Sequence, residues 1–395
     1  MIRVGFTLIG GGAGTGVYNY LLNLVRVLCS HEAHRVKPVL FFGTDMSEKD
    51  TAPFRDIVGA ELAFTTAMDI SQKGAALTRA LLLGADASQK RLLDEHQIDV
   101  LFENAQFFGW RIGRPVIAWI PDFQHRHLRP MFTARGYWRR ELGFLTQIGV
   151  GRTIMLSSED ARRDCERFYP STVGRTRAVR FAVPAGHAMT PSQARVTADR
   201  YGLPSAFFFM PNQVSKHKNH LLVLDALALL RERGKSVVVV SSGKQMDERH
   251  PEHFPAVQMR LKKLGLQQEL RLLGMIPYAD LVALMQASVA LLNPSLFEGW
   301  STPVEEARAL GVPLLLSDLG VHREQAGDSA VYFERHSATA LANALQTFKP
   351  LPAETYAAQL LLARIKADDR VRSFACEFAS LACDCAAGVT RINQL

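Results

Sequence analysis

The residues best suited to chemistry are concentrated in Asn293–Glu306, which reads Asn-Pro-Ser-Leu-Phe-Glu-Gly-Trp-Ser-Thr-Pro-Val-Glu-Glu. Thr302, Pro303 and Glu305 fit the N-cap, N1 and N3 positions of a capping box, so a helix should open there and Glu305 should serve it. Glu298 then lies in the loop before the helix, and Glu306 sits one position past Glu305. The Gly299-Trp300-Ser301-Thr302 loop would offer free N–H groups to a diphosphate, as helix N-termini do. Two carboxylates on either side of such an anion site suit a ligand with hydroxyls on both sides of its phosphates. A sugar nucleotide has that layout. A solvated acidic helix start would explain either Glu alone, but explains the whole constellation poorly.

A second candidate is Pro211–His220, which places Lys216, His217 and Lys218 just ahead of a helical segment. Cations there oppose the helix dipole, at roughly 0.3–1 kcal/mol each, unless an anion is shared. Local violations of this kind are expected at functional sites. A third is the glycine run 10–16, which follows a strand and opens a helix. It satisfies neither Gly-x-Gly-x-x-Gly nor the P-loop, whose Lys-Ser/Thr is replaced by Val17-Tyr18. Five glycines in seven residues exceed what a turn requires, and point to close approach of a ligand. His125 follows the strand-like Val116–Ile120, at the end where open α/β sheets bind ligands; His127 competes with it.

These residues need a scaffold, and the pattern supplies an α/β one. Short apolar runs at 2–9, 39–42, 100–102, 116–120 and 153–156 alternate with helix-period segments such as Val17–Leu28. A second series runs through strands 207–210, 236–240, 270–273, 287–292 and 313–316, separated by helices 219–232, 279–285 and 303–310. Such alternation indicates mostly parallel sheets covered on both faces. The stretch 182–204, with three prolines, reads as a linker, and residues 350–395 as mostly helical.

Composition excludes several classes. The 395 residues are 48% hydrophobic and 21% charged, ordinary values for a globular chain. No apolar run approaches the ~20 residues of a membrane span. The glycine-rich N-terminal stretch lacks the features of a signal peptide. Five cysteines form no disulfide framework, so a cytoplasmic location is expected. Cys376 and Cys383 share a helical face that suits packing, and Cys383-Asp384-Cys385 lacks metal-site spacing.

Glu298-Gly-Trp-Ser-Thr-Pro-Val-Glu-Glu306 resembles the E-x7-E signature of retaining GT-B glycosyltransferases of the GT4 type (glycosyl transferases group 1). The continuation Ala307–Pro313, Ser317-Asp318, Arg323-Glu324 and Gly327-Asp328 resembles that family's pattern, as do Leu272-Leu-Gly274 and the Asn219-led helix. Ile120-Pro-Asp-Phe-Gln-His125 is similar to its N-domain histidine motif. The likeness runs from the glycine loop to about Phe333.

The resemblance implies two Rossmann-like domains facing a central cleft. An acceptor-binding domain would span 1–182 and a nucleotide-sugar domain 183–350, with 351–395 returning to the first. Glu306 would bind the ribose, Glu298 the donor sugar and Lys218 the diphosphate, with His125 near the reacting carbon. Gly14, Gly16, Gln213, Lys216, Met275 and the 299–302 loop complete the donor set. The family's usual Arg-x4-Lys pair becomes Gln213-x4-Lys218 here, so Lys216 or His217 would replace the lost charge. No Asp-x-Asp occurs, which argues against a metal-bridged diphosphate, and neither a metal nor another cofactor is expected.

The charge of +8 is uneven: residues 1–182 carry 24 basic and 18 acidic side chains. Between Arg111 and Arg140 lie seven arginines and a single acid, Asp122. Arg126, Arg129, Arg135, Trp138, Arg139 and Arg140 would therefore meet an anionic saccharide or lipid-linked acceptor, or the membrane carrying it. The alternatives are a nucleotide-dependent oxidoreductase or epimerase, disfavoured by the glycine pattern, and a non-catalytic anion- or RNA-binding protein. No nucleic-acid motif accompanies the basic residues. The sequence is silent on the oligomeric state.

Overall fold

A computed structural model describes residues 1–8, 15–104, 106–186, 189–350 and 352–388. The chain forms two compact units. One comprises Met1–Phe123, Thr133–Phe181 and Arg370–Leu395; the other comprises Gln124–Phe132 and Ala182–Asp369.

The first unit is built on a seven-stranded sheet, β1 (Ile2–Thr7), β2 (Val36–Phe42), β3 (Glu61–Phe64), β4 (Val100–Asn104), β5 (Val116–Ile120), β6 (Thr153–Leu156) and β7 (Thr176–Ala178). Its order is β3-β2-β1-β4-β5-β6-β7, and every pairing is parallel. The helix Ala353–Ala386 is shared between the units, its second half belonging to the first. There Phe378 packs on Phe6 and Phe102 at ring distances of 5.8 and 5.6 Å, and Phe374 meets Tyr20 at 5.9 Å.

The second unit holds β8 (Phe208–Met210), β9 (Val239–Ser242), β10 (Leu270–Gly274), β11 (Ala290–Asn293), β12 (Leu314–Ser317) and β13 (Ala330–Phe333), in the order β10-β9-β8-β11-β12-β13. These strands are largely apolar because both faces are covered. Phe208, Val239, Leu292 and Leu315 enter one core cluster, while their neighbours Phe209, Val240, Leu291, Leu314 and Leu316 enter the other. Side chains alternate across a strand, so each run feeds two cores.

Several details differ from the sequence reading. The 182–204 stretch contains the helix Pro191–Arg200, opened by a capping box between Thr190 and Gln193. Tyr201 and Arg200 anchor its end to Asp280, each at 2.8 Å. The strand expected at 236–240 lies at Val239–Ser242, fixed by pairing with β8 and β10. Of the glycine run, Gly14 lies outside the described residues, and Gly16 is an exposed residue of the helix Thr15–His31. Cys376 is exposed rather than packed, whereas Cys385 is buried.

Candidate functional site

In the second sheet the strand order reverses between β8 and β11, which pair directly. Ligands of open α/β sheets bind outside the carboxyl ends of the strands at such a switch point. The loops leaving those ends are Pro211–Lys218 and Pro294–Ser301, the two segments singled out by their chemistry. They are tied together: Leu296 N donates to His217 O at 2.8 Å. Asn219, held left-handed at φ 62°, donates from its side chain to Pro294 O at 3.2 Å and Arg335 O at 3.0 Å. A further tight approach is made by Gly243, where a Cβ would fall 2.7 Å from Gln213 N.

The lysines do not lie on the helix itself. Lys216–Lys218 form a short 3-10 turn, and the helix starts only at His220. Lys218 Nζ lies 2.6 Å from Glu298 Oε1, with side-chain exposures of 12% and 9%. Burial alone would raise the Glu298 carboxyl; the charge of Lys218 beside it instead holds it down at about 2. The Ser295 hydroxyl lies 2.6 Å from both Glu298 Oε1 and Asn293 Oδ1, with one proton to give. Lys216 and Gln213 are exposed.

The helix Thr302–Ala309 begins one residue earlier than a Thr302 cap requires. Ser301 is the N-cap, and its side chain makes no capping hydrogen bond. Its hydroxyl instead accepts from Asn293 Nδ2 at 2.8 Å. Gln325 clamps the Ser301 backbone at both ends, accepting from its N–H and donating to its C=O at 3.1 Å each. Glu305 is buried, and binds Arg308 and Gln325 instead of closing a capping box. The first turn is thus braced from behind by Gln325 and Asn293. Gly299 and Trp300 are half-buried in the loop, and Thr302 is exposed.

Glu306 accepts from the Tyr278 hydroxyl at 3.1 Å. Burial raises its carboxyl to about 7, against the opposing pull of that hydrogen bond. Met275 is exposed next to Gly274, which adopts φ 71°.

The chain from Gln124 to Phe132 belongs to this unit. Arg249 donates to Gln124 Oε1 at 2.9 Å and stacks over Phe132, while His250 Nε2 meets Met131 O at 2.9 Å. His125 is fully buried, whereas His127 is exposed with its ring 5.1 Å from Phe297, next to Glu298. The basic stretch read as one patch is accordingly divided. Arg126 and Arg129 go with the second unit; Arg135, Trp138, Arg139 and Arg140 go with the first. Arg140 is engaged by Asp122 at 2.6 Å, and Arg129 by Phe132 O at 3.0 Å.

Sequence reading missed Tyr278, His322 and Gln325. His322 is fully buried, and its Nδ1 lies 2.9 Å from Ser317 O, so that nitrogen carries the proton. Burial keeps the ring neutral despite the nearby Glu298. Histidine next to an arginine gave no signal of this role.

Residues 201–358 match the family model for glycosyl transferases group 1. That stretch is similar to group 1 glycosyltransferase domains. It contains Lys218, Tyr278, Glu298 and Glu306. The whole chain also resembles solved structures. Anabaena HepE, in complex with UDP and glucose, shares 16% identity at a TM-score of 0.70, covering 96% of this chain and 99% of that one. A glycosyltransferase from Rickettsia africae shares 13% identity at 0.64, covering 100% and 99%. WaaG, a glycosyltransferase involved in lipopolysaccharide biosynthesis, shares 16% at 0.62, covering 95% and 98%. At these identities the likeness is one of fold, here the GT-B arrangement of two parallel α/β sheets. No curated protein sequence matches the chain.

Proposed function

We propose that the protein is a retaining, metal-independent hexosyltransferase that moves a sugar, of mannose or rhamnose type, from a nucleoside diphosphate to an anionic saccharide or lipid-linked acceptor. Surface polysaccharide assembly at the cytoplasmic face of the membrane is the process that suits it. The observation that carries this reading is the Lys218–Glu298 pair at the sheet's switch point, with Glu306 beyond it on the helix that Ser301 opens.

In this reading Lys218 and the amides of the 299–302 loop take the charge that develops on the leaving diphosphate. Fixed cations and dipoles of this kind stabilise a transition state without reorganisation. Glu298 binds the donor sugar and Glu306 the ribose. The acceptor oxygen attacks the anomeric carbon from the face that the phosphate leaves, and the bond between that carbon and the phosphate oxygen breaks. The acceptor's proton passes to the departing phosphate, so the anomeric configuration is retained. Within the segment Gln124–Phe132, the His127 ring contacts Phe297, the neighbour of Glu298.

A calorimetric panel of GDP, UDP, dTDP and ADP with their sugars tests the reading. One nucleotide series should bind, and Glu306→Ala should weaken it by about 1.5–3 kcal/mol, the cost of losing hydrogen bonds to a charged group. Silence across the panel would sink the proposal, and bound NAD(P) absorbance would replace it with an oxidoreductase.

A further inference from the structure

The segment Gln124–Phe132 leaves the first unit's chain after Phe123 and rejoins it at Thr133, yet packs with the second unit as a strap. One side chain meets both ends of this strap. Arg249 donates to Gln124 Oε1 at 2.9 Å, and its guanidinium carbon lies 4.9 Å from the centre of the Phe132 ring. His250 Nε2 lies 2.9 Å from Met131 O, so that nitrogen carries the proton. Between these anchors the His127 ring sits 5.1 Å from that of Phe297, next to Glu298.

The loop that supplies Arg249 and His250 also holds the Lys216–Lys218 turn. Val214 N donates to Lys244 O at 2.9 Å, and a Cβ on Gly243 would strike the backbone of Asn212 and Gln213. Asp247 is buried, and its two oxygens accept separate backbone N–H groups at 3.0 Å each: Oδ2 from Lys216 and Oδ1 from Arg249. Burial alone would raise this carboxyl; the N–H of Lys216, then that of Arg249, hold it below the usual carboxylate range. A buried carboxylate is tolerated only while such bonds are kept, so it fixes the spacing of the two backbones it joins.

We infer that Arg249 is a positioning residue: through the Asp247 bracket it fastens the strap to the phosphate turn, so that a diphosphate seated on that turn stiffens Gln124–Phe132 and holds His127 against Phe297. The inference rests on the donor reading and adds a route by which an occupied phosphate site is felt at a second segment. Coupling of this kind needs a continuous set of contacts, and each link here is a hydrogen bond or a ring contact within one unit. Lys244, on the same loop, supplies the contrast, because its exposed side chain pairs with Glu248 and not with the strap.

Hydrogen exchange of the full chain, read over peptides covering 124–132, tests the inference with inorganic pyrophosphate as the probe. In the wild type, pyrophosphate should slow exchange across the strap. Arg249→Ala, at an exposed position, should speed exchange there by about tenfold, the loss of one hydrogen bond and one cation–ring contact. It should also abolish the slowing by pyrophosphate, and unchanged thermal melting checks that it folds. Asp247→Asn removes one of the two acceptors and should likewise lose the slowing, whereas Lys244→Ala should behave as wild type. Strap exchange that is indifferent to Arg249→Ala, or slowing that survives both substitutions, would overturn the inference. Calorimetry on the same samples separates the two claims. Binding of pyrophosphate without protection of the strap would strike only the coupling; no binding of pyrophosphate or of any nucleotide in the panel would strike the donor reading and the coupling with it.

Discussion

Lys218 and Glu298 each make the other tolerable in a largely buried setting. A carboxylate removed from water costs several kcal/mol unless a partner compensates it, and breaking such a pair from one side leaves an uncompensated charge. Lys218→Met should therefore destabilise the second unit by about 3–5 kcal/mol, and Glu298→Gln by clearly less, since the amide keeps a hydrogen bond to Ser295. Urea denaturation of the two variants checks the order; the reverse order would show that the pair is not the stabilising element. The pair also sets an acid limit. A carboxyl held at about 2 in the fold and near 4.5 when unfolded contributes stability that is complete above about 4.5 and lost as pH falls toward 2.

Glu306 behaves oppositely. Its carboxyl, raised to about 7, is half protonated near neutrality before any ligand arrives. The carboxylate is the better acceptor for ribose hydroxyls, so nucleotide affinity should climb several-fold from pH 6 to pH 8, about a midpoint near 7. Tyr278→Phe removes the hydrogen bond that favours the charged form and should move that midpoint upward. Calorimetry at a series of pH values would detect both effects, and a flat profile would remove Glu306 from the nucleotide site.

At the level of elements, legibility followed burial. Strands β8, β11 and β12 were readable because both their faces are covered, leaving largely apolar runs, whereas β9 was placed too early because it ends in Ser241 and Ser242. The helix Lys73–Leu83 was not, because it buries only Ala76 and Ala80 and turns its leucines to solvent. The same logic applies to the site. Glu298, Glu306 and Lys218 announced themselves through local spacing around loops. Gln325 and Tyr278 act across 24 and 28 positions respectively, and Arg249 reaches Gln124 across 125. No local pattern records such pairings. The capping box was misplaced for a related reason. Thr302-x-x-Glu305 has the right letters, but Gln325 and Arg308 hold Glu305 and Asn293 holds Ser301, so the brace comes from neighbouring elements.

On the scale of the whole chain, the last helix works for both units. Its first half touches the second unit, where Gln359 Nε2 donates to Gly311 O at 3.2 Å. Its second half supplies Phe374 and Phe378 to the aromatic core of the first, beside Phe6, Phe102 and Tyr20. Phe378 is fully buried, so Phe378→Ala opens a cavity worth about 3–5 kcal/mol. That loss falls in the first sheet, whereas the proposed nucleotide contacts belong to the second. Bound nucleotide stabilises only what binds it, by an amount set by its concentration over its dissociation constant. Scanning calorimetry of the variant should then show a lowered transition that saturating nucleotide does not restore, above which a nucleotide-sensitive transition persists. A single transition lowered by the substitution and raised by the ligand would mean that the shared helix makes both sheets melt together, and that the two cores are one cooperative body.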